Sequence, residues 1–148
     1  MDRMVVIGVG NPYRRDDGVG AAVIELLRHC SLPHGVQLEC ALGDSAELMD
    51  LWQDRDLAIV VDAAIPAHPR PGAVHHTVSS HHLPMGEAIK LSQALGRMPK
   101  RLELYAIEVA DTGHGQGLSP QVRAAARRTA HSIASEVKRL CALPIRHK

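Results

Sequence analysis

Hydrophobic and polar residues follow two different periods along this chain, and together these periods predict an alternating series of strands and helices. Met4–Val9 and residues 57–61 are short, uninterrupted apolar runs, which are typical of buried strands. Residues 36–42 alternate apolar with polar, as a half-exposed strand does. Residues 73–78 and 101–108 also have the pattern of strands.

Between these strands the apolar residues recur at helical spacing. Residues 17–30 predict an amphipathic helix, and residues 44–47 resemble a capping box that opens a short second helix. A third helix is predicted over residues 84–95, and Ser119 begins a long final helix. Strands that alternate with helices predict an α/β fold, here a three-layer α/β/α sandwich around a mostly parallel, twisted sheet of about five strands.

The composition restricts the possible partners of this chain. Its 148 residues are 45% hydrophobic, so we expect a single domain over residues 1–148, with a frayed tail from residue 141. A formal charge of +1 and only 2% aromatic residues argue against nucleic acid as a partner. No apolar run approaches the ~18 residues of a membrane span, and no signal peptide precedes the first strand. We therefore expect a cytoplasmic protein that does not bind membranes, and we expect it to be a monomer. The three cysteines should be buried as small hydrophobic residues in a reducing compartment.

Three segments that adjoin the predicted strands carry acidic or imidazole groups. Asp17 follows the first strand and its glycine-rich loop, Asp62 directly follows the apolar run 57–61, and His81 precedes the third helix. Groups at the carboxyl ends of parallel strands converge on one crevice, although they are distant in sequence. Two carboxylates and an imidazole suit a borderline divalent metal such as nickel or zinc.

The acidic pair Asp16 and Asp17 also has a structural interpretation, because carboxylates stabilise a helix N-terminus through the helix dipole. Gly18 and Gly20 lie next to the pair, and glycine is unfavourable in the first turn of a helix. We therefore expect another part of the backbone to approach closely at these glycines.

Structural alternatives exist for the other two groups as well. Asp62 can cap the loop that follows its strand, although a charge at the end of an apolar strand is costly without a partner. His81 can be an ordinary histidine at the entry of a helix, and the adjacent His82 competes with it as a ligand.

Several further residues are secondary candidates. Asn11, Asp44 and Glu108 are candidates for contacts with a substrate or with the primary groups, and Asp44 is equally well placed to cap the second helix. His75 and His76 are consecutive residues of a predicted strand, so their side chains point to opposite faces of the sheet. We expect neither to be functional.

Five short motifs, taken in order and spacing, resemble the nickel-iron hydrogenase maturation proteases over roughly residues 4–140. These motifs are Gly-Val-Gly-Asn at 8–11, Asp-Asp-Gly-Val-Gly at 16–20, Val-Val-Asp-Ala at 60–63, Ser-Ser-His at 79–81 and Gly-Leu-Ser-Pro at 117–120. Each motif alone is weak, and the combination is specific.

The resemblance implies a small cytoplasmic α/β endopeptidase. Such proteins remove a C-terminal extension from the precursor of the hydrogenase large subunit after nickel has been inserted, so the nickel arrives with the substrate. The metal-contacting and catalytic positions of the family fall on Asp17, Asp62 and His81, and Asp16 is a weaker candidate for a base. Family members often have glutamate where this chain has Asp17, and glycine where it has Pro84.

Two other classes of protein remain possible from the residues. A receiver-like phosphoacceptor module also places an acidic pair after the first strand and an aspartate after the third, but here the pair lies well beyond the strand. A non-catalytic nickel chaperone would use the same three residues and leave the precursor intact.

Overall fold

A computed structural model describes residues 3–78 and 86–142 of the chain. In chain order the elements are β1 (Met4–Val9), α1 (Val19–Arg28), β2 (Val36–Ala41), α2 (Ser45–Trp52), β3 (Leu57–Ala64), β4 (Val74–Val78), α3 (Gly86–Ala94), β5 (Leu102–Glu108) and α4 (Pro120–Cys141). The predicted helix at 17–30 is in fact a 3-10 turn, Arg15–Gly18, followed by the shorter α1.

The five described strands form one sheet in the order β2-β1-β3-β5-β4. The four strands β2, β1, β3 and β5 are parallel, whereas β4 pairs with β5 in the antiparallel direction at the edge. The prediction of a mostly parallel sheet is confirmed. A receiver-like sheet would run from the third strand to the fourth and then the fifth. The receiver-like alternative is therefore wrong, because β5 lies between β3 and β4.

Two hydrophobic cores cover the two faces of the sheet. On one face α1 and α4 pack against alternate side chains of the central strands, such as Val6, Ile59 and Ile107. On the other face α2 and α3 pack against the intervening ones, such as Ile7 and Val60. The α/β/α sandwich is thus confirmed, and its two faces explain why the central strands are apolar throughout.

The third strand is longer than its apolar run predicts. Pairing with β5 continues from Asp62 opposite Ala106 to Ala64 opposite Glu108. The prediction that Asp62 follows the strand is therefore wrong. Its backbone belongs to the ladder of β3, and this fixes the direction of its side chain more firmly than a loop would.

The expectation of buried cysteines is also wrong. Cys30 and Cys40 are exposed and Cys141 is half-buried. Cys30 follows the end of α1, and Cys40 lies on the edge strand β2, where one face is lightly covered. In the part of the chain that the structure describes, no helix has the length and apolar character to span a membrane. Residues 143–148 of the predicted tail lie outside the described residues, and the prediction of a single domain stays a prediction.

Candidate active site

The start of α1 lies directly against the carboxyl ends of β1 and β3, without an intervening side chain. A Cβ atom added at Gly20 would lie 2.6 Å from the backbone nitrogen of Val9 and 2.7 Å from the carbonyl oxygen of Val61. A Cβ atom added at Gly18 would lie 2.8 Å from the Cα of Pro12. The close backbone approach expected at these glycines is confirmed, and it holds the 3-10 turn against the end of the sheet.

Asp17 occupies this 3-10 turn, and its carboxylate is fixed by the preceding loop. The backbone N–H of Asn11 donates to Asp17 Oδ2 at 2.8 Å. The side chain of Asn11 accepts from the N–H of Tyr13 at 2.9 Å, which shapes the same loop. Gly10 has a φ of 130°, a conformation that a residue with a side chain rarely adopts. Asn11 therefore positions Asp17 through the backbone.

Asp62 projects from β3 into the same region. It is partly buried, and its Oδ1 accepts from the N–H of Ala63 at 2.8 Å. Burial and, to a smaller extent, the negative charge of Asp17 raise the pKa of Asp62 to about 6, against the lowering effect of the hydrogen bond from Ala63. The two carboxylates are thus close enough to repel each other, which is an arrangement that a bound cation relieves.

A cavity of about 660 Å³ opens between the loops at this edge of the sheet. Asp17 and Asp62 supply its acidic groups, and the rest of its wall is mainly apolar. Leu42 and Ile65, which are 75% and 64% exposed, lie on its rim. The cavity therefore combines a paired acidic centre with apolar side chains, a mixture that is typical of ligand-binding clefts.

Asp16 does not line this cavity. Its carboxylate is fully buried and accepts from the backbone N–H of Ser119 at 2.8 Å and from the Ser119 hydroxyl at 2.9 Å. Its own N–H donates to the carbonyl of Asp111 at 2.9 Å. These contacts occupy both carboxylate oxygens of Asp16, so they favour an anchoring role over a role as a general base.

Asp44 caps α2, as one of its two interpretations predicts. Its side chain accepts from the N–H of Glu47 at 3.2 Å. Glu47 reaches back to the N–H groups of Leu42 and Gly43 at 2.9 and 3.3 Å, rather than to that of Asp44. This variant of the capping box holds the segment that forms one side of the cavity.

Glu108 holds the loop that follows the cavity-lining residues Ile65 and Pro66. It is almost fully buried, and its carboxylate accepts from the N–H of Arg70 at 2.9 Å and contacts His75 Nε2 at 2.6 Å. These hydrogen bonds, that from Arg70 first, lower the pKa of Glu108. Glu108 therefore anchors the loop that follows Ile65 and Pro66, and its contact gives His75 a structural role.

The predicted third ligand, His81, and its competitor His82 lie outside the described residues. The described neighbours of this segment are Val78, which ends β4, and Gly86, which begins α3. Of the predicted metal-binding set, the structure brings Asp17 and Asp62 together.

Sequence reasoning missed one feature that shapes the site, a second loop that pairs with the 3-10 turn. The N–H of Arg15 donates to the carbonyl of Gly115, and the N–H of Gly115 donates to the carbonyl of Tyr13, both at 2.9 Å. The guanidinium of Arg15 also contacts Asp111 at 3.3 Å. The signal was the spacing of Gly113, Gly115 and Gly117, which is typical of a tightly shaped loop.

The sheet order and this cavity define the class of protein: an α/β/α sandwich with an acidic crevice at the carboxyl edge of its parallel strands. Comparison with known proteins identifies the family within this class. The model of the HycI hydrogenase maturation protease family matches residues 25–136. The chain therefore belongs to the hydrogenase maturation protease family, and it is a peptidase with a role in hydrogenase maturation.

Individual relatives agree with this assignment. The hydrogenase 2 maturation protease of Escherichia coli K12 is 26% identical over 135 residues, which cover 82% of each protein. The hydrogenase maturating endopeptidase HybD from E. coli has a similar fold, with a TM-score of 0.80, 22% identity and 93% of both chains covered. A hydrogenase 2 maturation peptidase from a Thaumarchaeota archaeon gives a TM-score of 0.72 at 22% identity, over 91% of this chain and 97% of that one.

Proposed function

We propose that this peptidase removes the C-terminal extension from the nickel-loaded precursor of a nickel-iron hydrogenase large subunit. The observation that carries the proposal is the pair Asp17 and Asp62, which line one cavity and repel each other there. In this proposal the precursor's nickel is the recognition element, and Asp17, Asp62 and His81 contact it. Carboxylate and imidazole ligands suit a borderline ion of this kind.

Helix α3 lies beside α2, whose first turn adjoins the cavity. Trp52 at the end of α2 donates from Nε1 to the hydroxyl of Ser92, near the end of α3, at 3.0 Å. His81 precedes α3 by a few residues in the sequence. Its inclusion rests on that sequence motif and on the suitability of an imidazole ligand.

The chemistry in this proposal divides between metal and protein. The nickel orients the cleavage segment and polarises the scissile carbonyl or activates a water molecule. Asp17 and Asp62 hold the metal in place, while the apolar rim formed by Leu42 and Ile65 excludes water and receives the extended peptide. Because Asp16 is committed to Ser119, the ionisable groups at the described part of the cavity are Asp17 and Asp62.

The experiment is mass spectrometry of a purified large-subunit precursor, loaded with nickel or free of it, after incubation with the protein. We expect a C-terminal peptide to be lost from the loaded precursor alone. The variants Asp17→Asn, Asp62→Asn and His81→Ala should each slow cleavage at least tenfold, on the scale of losing one electrostatic contact in an active site. Asp50→Asn, at an exposed position of α2, is the matched control and should cleave normally.

Two results contradict the proposal. Normal processing by the three variants would show that these residues do not carry the reaction. Equal cleavage of both precursors would show that nickel is not the recognition element. The alternative of a non-catalytic nickel chaperone predicts nickel binding with both precursors left intact. A His82→Ala variant tested beside His81→Ala decides which histidine acts.

A further inference from the structure

A second group of metal-ligating side chains lies on the other face of the sheet from the cavity. His76 of β4, Glu103 of β5 and Glu136 of α4 each place one ligand atom within 4.8 Å of the others. His76 is paired in register with Tyr105, which belongs to the core beneath α4. Asp62 projects from the opposite face, so this cluster is separate from the Asp17–Asp62 centre.

The two carboxylates of the cluster are largely buried and lie close together. Glu103 is fully buried, with His76 Nε2 at 2.6 Å from one oxygen and Arg101 Nε at 2.9 Å from the other. The side chain of Glu136 is 11% exposed, and Arg139 approaches its Oε2 no closer than 3.9 Å. Burial, followed by a hydrogen bond with Glu103 and the charge of Glu103, raises the pKa of Glu136 to about 7. A divalent cation bound by both carboxylates would take the place of the proton that this pair favours.

One carboxylate oxygen of the cluster lacks a hydrogen-bond partner in the described structure. Glu136 Oε1 is buried and has no hydrogen-bond partner among the described residues. A buried carboxylate oxygen normally accepts at least one hydrogen bond, and leaving one without a partner is costly. A bound cation would give this oxygen a partner.

The histidine is also held in the orientation that a ligand needs. The ring of His76 stacks on that of Tyr105, with centroids 4.1 Å apart and planes 9° from parallel. Its Nε2 points at Glu103, while the side chain remains 36% exposed. The partial exposure of the ring places the cluster at the border between the core and the surface.

We propose that His76, Glu103 and Glu136 bind a divalent transition-metal ion, for which zinc is the best fit. One imidazole nitrogen and two carboxylate oxygens, with a remaining position for water, match the ligands and coordination number that zinc prefers. In the bound state His76 Nε2 exchanges its contact with Glu103 for the metal. The ion then links the edge strand β4 to β5 and to α4, so its effect is on the stability of this edge.

The test is a zinc titration of the full chain after removal of metals with a chelator, read by competition with a chromophoric chelator and by thermal unfolding. His76→Ala and Glu136→Gln should each weaken zinc binding roughly tenfold or more, since even losing a residue behind a ligand costs about that much. Zinc should raise the Tm of Asp62→Asn, in which the other candidate metal site is impaired, but not that of the double variant Asp62→Asn/His76→Ala. Glu103 is left unchanged because it is fully buried and its loss endangers folding.

Three controls separate this site from other sources of zinc binding. His29→Ala removes an exposed histidine that also contacts a glutamate, Glu25, and should bind zinc as the wild type does. Asp62→Asn should keep the Tm increase, because the cavity lies on the other face. The exposed thiols are tested with Cys30→Ser and Cys40→Ser, which should also leave it intact.

The proposal is overturned if His76→Ala and Glu136→Gln bind zinc as tightly as the wild type. It is equally overturned if Asp62→Asn or the cysteine variants abolish the Tm increase while His76→Ala retains it. Either result concerns this cluster alone, because cleavage of the precursor is measured separately.

Discussion

Asp16 and Asp17 show how much two neighbouring residues of one type can differ. The carboxylate of Asp16 is fully buried and points to Ser119, whereas that of Asp17 is partly exposed and lines the cavity. The 3-10 turn points the two side chains in different directions, so one fastens the turn and the other faces the cavity. The two roles depend on the backbone of a segment that contains Gly10 and Gly18, because glycine alone tolerates the approach of the neighbouring chain there.

The first prediction concerns Gly20, where a side chain has no space. Gly20→Ala should reduce the free energy of unfolding by about 1–3 kcal/mol, because its Cβ would overlap backbone atoms that cannot move aside. It should also reduce precursor cleavage, because α1 would displace the turn that carries Asp17. Chemical denaturation of the purified variant measures the first effect.

Gly86→Ala is the matched control for this substitution. An added Cβ at Gly86 meets no atom of the described residues within 4 Å, so this variant should be unchanged or slightly more stable. Equal effects of the two substitutions would show that the contact at Gly20 is not the cause.

Among the elements, the loop between β5 and α4 has the greatest influence on the site. It pairs with the 3-10 turn through Gly115, and Ser119 at the start of α4 donates to Asp16. Ser119 occupies the cap position that the sequence predicts, but its side chain makes no capping hydrogen bond within α4. Its hydroxyl instead joins the longest helix to the loop beside the cavity.

Ser119→Ala tests this connection. The variant should lose about 1–3 kcal/mol of stability, because a buried carboxylate loses its hydroxyl donor. The remaining partners of Asp16 would be two N–H groups, that of Ser119 at 2.8 Å and that of Asp111 at 3.4 Å. Thermal or chemical unfolding measures the loss, and Ser132→Ala, at an exposed position of α4, should be neutral. A loss no larger than that of Ser132→Ala would refute the anchoring role of Asp16.

Periodicity predicts most elements of the molecule because each helix and strand buries one face or both. Six apolar residues at helical spacing along α4 are all buried against the sheet: Val122, Ala126, Ala130, Ile133, Val137 and Leu140. The periodic patterns indicate which residues are buried, however, and they do not indicate which elements contact each other. The antiparallel direction of β4, the ladder that includes Asp62 and the burial of Glu103 all depend on which strands become neighbours, and one strand's residues do not specify that.

The same limit applies to the candidate site. Convergence of Asp17 and Asp62 could be predicted, because parallel strands bring their carboxyl ends to one edge. The burial of Asp16 could not, since it requires Ser119 from a helix at the other end of the chain. His76 looked unremarkable for the same reason: its neighbours Glu103 and Glu136 come from two later elements.

At the scale of the whole molecule, Glu108 makes stability depend on pH. Its hydrogen bonds with Arg70 and His75 lower its pKa below the ordinary 4.5. A lowered folded-state pKa stabilises the protein above the unfolded-state pKa, and this contribution is lost as pH falls through the folded-state value. Glu108→Gln should therefore lower the Tm at pH 7, and the difference from the wild type should shrink in acid.

The measurement is a pair of thermal unfolding series from neutral pH down to the acid limit of folding. Glu87→Gln, in the first turn of α3 and away from this network, is the control. A difference between Glu108→Gln and the wild type that is constant with pH would mean that the charge of Glu108 is not what holds the loop.

The backbone contact at Gly20 also determines how the protein unfolds. Because α1 touches main-chain atoms of both β1 and β3, its place exists only when those two strands are paired. Such an arrangement favours one cooperative unit made of α1 and the central strands. The turn that carries Asp17 should then be among the parts of the protein whose backbone amide hydrogens exchange most slowly. The positions of the carboxylates of Asp16 and Asp17 would be lost through global unfolding rather than through local fraying.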